Sequence, residues 1–238
     1  MLNTVGFVLS KKDINDLDRE YCFFSKKYGK IKLLAKSVKK ILSKLSAQLE
    51  PPSLISVVFI PMENKGMITT ALARNSYSKI RKDIDKFKVY NHMAKIINDF
   101  TLFNQKDDKL WTLFKLTNDQ LKKYPFNLVE ISFMINFIKE IGFYPNLKRC
   151  SECNKSTTLN KDCYFDFDGA NIVCSDCNKS KNLIKLNQQT MKSIEVLNNF
   201  DIKKIILLEL DDPILKQYKN ISIFLNKYLS YVKKHYCE

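Results

Sequence analysis

The sequence predicts an α+β protein of more than one domain, in which a small N-terminal β-barrel precedes a helical domain that carries a four-cysteine insertion. Short segments rich in β-branched and aromatic residues recur between residues 4 and 73. From residue 80 onward, apolar residues recur at helical spacing, and two Cys-x-x-Cys pairs interrupt that part. A chain of 238 residues is long enough for two domains with ordinary hydrophobic cores.

Five strands are expected in the first domain, residues 1–77, and they cover 5–9, 20–25, 30–35, 54–60 and 67–72. Gly29 supplies the positive φ of a tight hairpin between the second and third strands. Between the third and fourth, a helix is expected over 38–49, because apolar residues there have helical spacing: Ile41, Leu42, Leu45 and Leu49. This layout is typical of an OB-type barrel, which binds oligonucleotides. Another small barrel, SH3-like included, fits the same pattern.

The helical domain is expected to cover residues 78–238. Its apolar stripes indicate packed cores rather than a cofactor box, and they comprise Ile80, Ile84, Phe87, Tyr90, Met93, Ile97 and Phe100, then Leu110, Leu113, Phe114 and Leu121. A denser apolar segment follows Pro125 and ends at Gly142. Further helices are expected over 190–200 and 223–236.

Four cysteines indicate a metal site: Cys150, Cys153, Cys174 and Cys177. Two Cys-x-x-Cys turns separated by 20 residues can direct four thiolates at one ion, and zinc is the metal that this spacing favours. Four thiolates leave no open position for a catalytic water, so one structural Zn²⁺ per chain is expected, in a ribbon over 146–182. The remaining cysteines, Cys22, Cys163 and Cys237, are interpreted as buried or incidental reduced thiols.

Positive charge is concentrated early in the chain. The protein has 40 Lys and Arg against 25 Asp and Glu, a formal charge of +15, which favours a polyanionic partner. Between residues 19 and 49 the only acid is Glu20, and the nine basic residues give that segment a net charge of +8: Arg19, Lys26, Lys27, Lys30, Lys32, Lys36, Lys39, Lys40 and Lys44. We expect these nine to bind DNA phosphates. A solvated face and the amino-acid bias of an AT-rich genome are the alternatives.

Aromatic residues share this segment, and Tyr21, Phe23, Phe24 and Tyr28 can either fill the barrel or stack on unpaired bases. Filling the barrel is the favoured interpretation. Sequence signals of catalysis are lacking: the five glycines form no phosphate-binding loop, and His92 and His235 lie in no metalloprotease or deaminase motif. We therefore expect a non-enzymatic protein. No apolar run is long enough to span a membrane and the first residues do not resemble a signal peptide, which favours the cytoplasm.

Several short motifs, taken in order, resemble those of the bacterial RecO family of recombination mediators. They are Gly6-Phe-Val-Leu-Ser, Asp18-Arg19, Tyr28-Gly-Lys-Ile, Ala35-Lys36, residues 43–51, Ile141-Gly-Phe-Tyr-Pro145, and the cysteine pairs with Phe165-Asp-Phe between them. The likeness spans nearly the whole chain. Two positions depart from the family pattern: Ser37 stands where glycine is usual, and Gly169-Ala170 replaces Gly-Gly.

The resemblance implies a protein of DNA repair, recombination and the response to DNA damage. It implies binding of single- and double-stranded DNA, annealing of complementary strands and, with RecR, loading of RecA onto DNA covered by single-strand-binding protein. It also implies a site in the helical domain for the acidic C-terminal tail of single-strand-binding protein. We expect a monomer in isolation, associated with the nucleoid during repair.

Two other functions stay open from the sequence. One is a zinc-ribbon adaptor whose basic face binds acidic protein tails rather than DNA. The other is a zinc-dependent enzyme that processes DNA.

Overall fold

The computed structural model describes residues 1–157, 162–179, 183–198 and 216–236, in two compact units, Met1–Phe126 and Asn127–Glu238. Residue 182, the expected end of the ribbon, lies outside the described residues, as do Cys237 and the last two residues of the helix expected over 190–200.

The first unit contains a closed five-stranded barrel, which confirms the predicted fold class. Its strands are β1 Leu2–Asp13, β2 Arg19–Ser25, β3 Gly29–Ala35, β4 Leu54–Pro61 and β5 Gly66–Asn75, in the order β1-β2-β3-β5-β4. Antiparallel pairing of β1 with β4 closes the barrel. β3 and β5 are parallel, and they pair at Leu33 with Gly66 and at Leu34 with Met67. Five strands with a helix between the third and fourth form the OB-type layout.

Side chains of alternating residues fill the barrel, as the period of a strand requires. Tyr21 and Phe23 of β2 lie in this core with Ile31 and Leu33 of β3. Phe24 points the other way, towards Trp111 and Phe114 of a helix outside the barrel. The interpretation of these aromatics as core is confirmed for Tyr21, Phe23 and Phe24, each with 0% exposure. Gly29 has the expected positive φ, +65°.

The helix expected over 38–49 is wrong over its first half. Helix α1 covers Lys44–Gln48, and Ile41 and Leu42 are almost fully exposed, at 101% and 92%. Residues 36–42 instead form turns, and Ser37 within them has a left-handed φ of +53°. Val38 and Leu49 are buried in the barrel core and hold the two ends of this connection. Ile41 and Leu42 lie between them and remain at the surface.

Three helices complete the first unit: α2 Ser78–Arg81, α3 Ile84–Phe100 and α4 Asp108–Leu121. The Asp83 side chain caps α3 by accepting hydrogen bonds from the N–H groups of Asp85 and Lys86. The Asp107 side chain caps α4 by accepting one from the Leu110 N–H. Helix α3 is tied to the barrel where the Tyr90 hydroxyl donates to the Val8 carbonyl (2.8 Å). Ile84, expected in the apolar stripe, is instead 70% exposed because it opens α3.

These helices pack with the barrel in one compact unit that extends to Phe126. The sequence pattern changes near residue 77, where a domain boundary was expected. The division into domains at residue 77 stays a prediction.

The second unit combines helices with a small sheet. Its helices are α5 Phe126–Glu140, which begins at the division between the units, α6 Gln188–Asn198 and α7 Tyr218–Tyr236. The sheet has the order β6-β8-β7-β9, with β6 Asn146–Cys150, β7 Cys163–Asp166, β8 Asn171–Cys174 and β9 Ile184–Leu186. The Phe165 ring packs edge-on against Phe224 and Tyr228 of α7. Within the described ranges, no helix combines the length and apolar character that crossing a membrane requires.

Candidate metal centre and nucleic-acid interface

The four predicted cysteines come together in the second unit. Cys150 ends β6 and Cys174 ends β8, and each is followed by the tight turn that carries its partner, Cys153 or Cys177. The four sulfurs lie within 4.8 Å of one another. Cys153 Sγ and Cys174 Sγ are 3.8 Å apart, which matches the edge of about 3.8 Å of a tetrahedron with Zn–S bonds of about 2.3 Å. This donor set can hold a metal ion.

Backbone N–H groups surround the buried member of the cluster. The Cys174 N–H donates to Cys150 Sγ (3.4 Å). Burial raises the pKa of the Cys150 thiol, but the N–H groups of Cys153, Cys174 and Glu152 outweigh burial and lower that pKa to about 6. Hydrogen bonds with Cys174 and Cys153 raise the pKa of Cys177 to about 12. Negative charge therefore collects at Cys150, whereas Cys177 keeps a proton that a bound divalent cation would displace.

Cys163 lies beside the cluster without belonging to it. It is buried and pairs with Cys174 across β7 and β8. Burial, followed by the nearby Cys174 and Cys150 sulfurs, raises the pKa of its thiol. Cys22 belongs to the first unit, on β2 of the barrel, and its thiol donates to Asn98 Oδ1 (3.2 Å). Burial raises the pKa of Cys22 to about 11, so this thiol is unreactive.

The structure divides the nine predicted basic residues between two ends of the barrel. Arg19, Lys36, Lys39, Lys40 and Lys44 lie where β2 begins and β3 ends, while Lys26, Lys27, Lys30 and Lys32 lie at the turn between β2 and β3 and along the start of β3. Strand β3 separates the groups by roughly 20 Å, at about 3.3 Å per residue.

The first group surrounds residues 36–44, named here the 36–44 loop. Lys36, Lys40 and Lys44 are exposed, and none forms a salt bridge with a described residue. The Ser37 N–H donates to Asp18 Oδ1 (2.7 Å) and so ties the loop to the β1–β2 turn. This bond is the main reason that the pKa of Asp18 lies below its usual value, and the charges of Lys36 and Lys40 add to the effect.

Two other members of the first group are paired with a carboxylate that the charge count did not include. Asp13 lies 2.6 Å from Arg19 Nε and 3.1 Å from Lys39 Nζ. Hydrogen bonds from Arg19 and then Lys39 lower the pKa of Asp13 to about 2. Glu50 lies 3.7 Å from Arg19 Nη1 as well. Both acids fall just outside residues 19–49, so the value of +8 overstates the positive charge at this end of the barrel.

In the second group, Lys30 is buried, at 7% exposure. Its ammonium donates to the Asn98 carbonyl (2.6 Å), and burial lowers its pKa. Lys26, Lys27 and Lys32 are exposed. Lys27 Nζ donates to the Asn3 side chain (2.8 Å) rather than to a carboxylate.

An open groove of about 550 Å³ adjoins Lys27 and Lys32. It lies between the β2–β3 turn, the β4–β5 turn at residues 62–65 and the α3–α4 loop, and we call it the Phe103 groove. Lys30 Nζ and Lys32 Nζ lie 4.5 and 4.9 Å from the centroid of the Phe103 ring. Phe103 was not among the predicted site residues, because an isolated aromatic in a connection between helices has no distinguishing spacing.

Comparison with known families identifies both parts of the chain. The model described as Recombination protein O N terminal matches residues 1–77, and the model described as Recombination protein O C terminal matches residues 81–232.

Curated relatives extend the similarity over almost the full length. The chain is 27% identical to "DNA repair protein RecO" of Acetivibrio thermocellus over 227 residues, 93% of this chain and 88% of that protein. It is 26% identical to the protein of the same name from Thermoanaerobacter sp. over 239 residues, 99% of this chain and 92% of that protein. Another, from Alkaliphilus metalliredigens, is 24% identical over 228 residues, 92% of each chain.

Proposed function

The chain belongs to the Recombination protein O family, and from that premise we propose that it binds single- and double-stranded DNA and anneals complementary strands. With RecR, it promotes the loading of RecA onto DNA covered by single-strand-binding protein. Family membership supports the role in repair, and the exposed lysines of the 36–44 loop support the DNA contact.

The 36–44 loop is the single feature that carries the DNA-binding proposal. Lys36, Lys40 and Lys44 project from a short connection at one end of a barrel whose fold class binds oligonucleotides. Their ammonium groups have no salt-bridge partner among the described residues, so binding a phosphate breaks no ion pair. Each phosphate that they neutralise releases counterions, which makes binding strongly dependent on salt.

The other predicted residues have unequal parts in this proposal. Lys26, Lys27 and Lys32 are exposed and extend the contact towards the opposite end of β3. Arg19 and Lys39 must share their charge with Asp13, so their contribution is smaller. Lys30 is assigned to the interior, because a phosphate could reach its ammonium only after the bond to Asn98 is broken.

We assign a structural Zn²⁺ to Cys150, Cys153, Cys174 and Cys177. The distances between the sulfurs and the all-thiolate donor set support zinc, and four protein ligands leave no position for substrate. The ion would close a ribbon that begins near residue 146 and would stabilise its turns. No step of DNA binding is assigned to it, and we propose that the protein is not an enzyme.

Several further properties are carried over from the family as proposals. They are a division into domains 1–77 and 78–238, a monomeric state in isolation, RecR and the acidic tail of single-strand-binding protein as partners, and residence in the bacterial cytoplasm.

Charge reversal tests the DNA contact. Lys36→Glu, Lys40→Glu and Lys44→Glu in one protein should lower affinity for single-stranded oligonucleotides and slow the annealing of complementary strands. Losing three phosphate contacts should reduce the slope of log K against log salt by about 2, at about 0.7 per contact. Fluorescence anisotropy at several salt concentrations measures both quantities.

A matched control variant distinguishes the loss of phosphate contacts at the 36–44 loop from the change in the total charge of the protein. Lys82, Lys95 and Lys123 are exposed lysines of the same unit, outside the barrel, and changing them to Glu alters the net charge equally. The control should keep most of the salt slope. Equal losses in the two variants would contradict the assignment of the 36–44 loop. A protein that bound an acidic peptide and no oligonucleotide would support the adaptor instead.

A further inference from the structure

We infer that the Phe103 groove is a subsite for one unpaired nucleobase of single-stranded DNA, with the Phe103 ring as its stacking surface and Lys27 and Lys32 beside the flanking phosphates. This inference rests on the proposed DNA binding and adds to it a residue and a preference for single strands.

Phe103 is held on the barrel by backbone pairing. It forms an isolated parallel bridge with Lys30 of β3, and the Asn104 N–H donates to the Lys30 carbonyl (2.8 Å). The next residue, Gln105, lies so close to Gly29 that a Cβ at Gly29 would be 1.7 Å from the Gln105 carbonyl oxygen. The α3–α4 loop therefore fits closely against the edge of β3, and the position of Phe103 is set before any ligand arrives.

The groove combines aromatic surfaces with cations. Tyr28, Phe59 and Phe103 line it, and Tyr28 packs edge-on against Phe59 (5.9 Å between centroids). Phe103 is 42% exposed, so part of this residue remains accessible to a ligand. The volume of about 550 Å³ lies within the range of ligand-binding clefts, about 300–1,000 Å³.

The charges of the groove favour a polyanion with a flat apolar part. Its lysines are Lys27, Lys32, Lys65 and Lys106, against one acid, Glu63. Lys65 and Lys106 are paired with Glu20 and Asp108 at 3.8 and 2.7 Å, whereas Lys27 and Lys32 form no salt bridge with a described residue. Two cations without a salt bridge, Lys27 near Asn3 and Lys32 at 4.9 Å from the centroid of the Phe103 ring, lie beside an exposed aromatic residue. These are the elements of single-strand binding, in which bases stack on aromatics and phosphates contact lysines.

A duplex does not fit this description, because its bases are already stacked on each other. An unpaired base offers a free face, and stacking on an aromatic side chain then contributes to affinity. The subsite should thus raise affinity for single strands without changing affinity for duplex DNA.

Replacing the ring tests the subsite. Phe103→Ala in the full-length protein should weaken binding of a single-stranded oligonucleotide by about fivefold to a hundredfold, the range for one stacked base. Affinity for the duplex of the same sequence should change less than twofold by the same reasoning. Phe103→Trp should retain wild-type affinity for the single strand, and the added indole fluorescence should be quenched when that strand binds.

Leu102→Ala is the matched control. Leu102 is the adjacent residue, is 63% exposed and does not line the groove, so this variant should bind both forms of DNA as the wild type does. Thermal unfolding of all variants verifies that the loop and barrel remain folded.

The outcomes separate this inference from the proposed function. If the wild type binds both DNA forms and Phe103→Ala matches Leu102→Ala, the subsite is overturned while DNA binding stands. An equal loss for single strands and duplex also overturns it, because the groove would then be a general phosphate contact. Loss of affinity for an acidic peptide alone would assign the groove to protein tails. A wild type that binds no DNA overturns the inference and the proposed function together.

Discussion

The cysteine cluster and the basic surface of the barrel were both predicted from residue type, but in the structure only the cysteines come together in one place. It brings all four cysteines within 4.8 Å of one another. It separates the nine basic residues into two groups at opposite ends of β3, pairs Arg19 and Lys39 with Asp13, and buries Lys30.

The difference arises because the cysteine cluster depends mainly on residues close together in the sequence, whereas the charge of the surface depends on residues that folding brings together. A Cys-x-x-Cys turn places two thiolates by local backbone geometry, so spacing alone carries most of the information. The charge of a surface depends on every neighbour within about 10 Å, the screening length at 0.1 M salt. Neighbours such as Asp13 and Glu50 are brought close by folding, and a count along the chain overlooks them.

Removing one of the four proposed zinc ligands should give the largest effect, and it tests the cysteine site. Cys174→Ser should abolish retention of zinc and loosen residues 146–179, since binding of structural zinc supplies about 10–16 kcal/mol in small domains. Metal analysis and hydrogen exchange measure the two effects. The barrel should keep its exchange protection and its affinity for DNA.

Cys22→Ser is the control for that experiment, because Cys22 lies in the barrel and should leave zinc content at one per chain. Unchanged zinc content in Cys174→Ser would contradict the assigned ligand set. Unfolding of the barrel together with the ribbon would show that the two regions are not as independent as the comparison requires.

A substitution at Asp13 should have an intermediate effect on DNA affinity. It tests whether an acid close to the basic residues weakens their contact with DNA. Asp13→Asn removes the ion pairs that Arg19 and Lys39 form with residue 13, while Glu50 stays near Arg19. Affinity for single-stranded DNA should therefore rise by about twofold to fivefold, the scale of an exposed ion pair. Asp16→Asn changes the net charge equally at an exposed site nearby and should raise affinity less. Equal gains in the two variants would mean that the ion pairs of Asp13 do not restrain these cations.

The difference in stability between the wild type and Asp13→Asn should depend on pH. The pKa of Asp13 is lowered from 3.8 to about 2 in the folded protein. A carboxylate with a depressed pKa stabilises the fold fully above its unfolded pKa, and the contribution disappears as pH falls through the folded pKa. The wild type should therefore be more stable than Asp13→Asn above pH 4 and should lose that advantage towards pH 2, as thermal unfolding can measure.

The smallest effect is expected where the sequence prediction was wrong. Ile41→Ser with Leu42→Ser should change the free energy of unfolding by less than about 0.5 kcal/mol, because both side chains are exposed. Val38→Ala, at a buried anchor of the same loop, should cost about 1–3 kcal/mol. Urea unfolding compares them. A large loss in the double variant would indicate that the helix expected over 38–49 forms in solution.

Most of the fold could be predicted because its signals are local. The strand period located all five barrel strands, although β1 extends from Leu2 to Asp13 rather than over residues 5–9. Gly29 and Gly142 have the positive φ values expected of a hairpin and a helix end, +65° and +81°. Helical spacing failed for Ile41 and Leu42, since periodicity shows which residues could share a face but not whether another element covers that face.

The sequence alone determined the barrel strands, the helical stripes, the four cysteines that come together and can hold a metal ion, and the family to which the chain belongs. Each depends on residues a few positions apart, or on motifs in a set order. Tertiary structure decided which lysines face solvent, which acids neutralise them, and that Phe103 lies against a strand more than 70 residues earlier in the chain. These relations depend on tertiary contacts, and only the packing of the barrel strands with the 36–44 loop and the α3–α4 loop brings the groups within the few ångströms over which charges and rings interact.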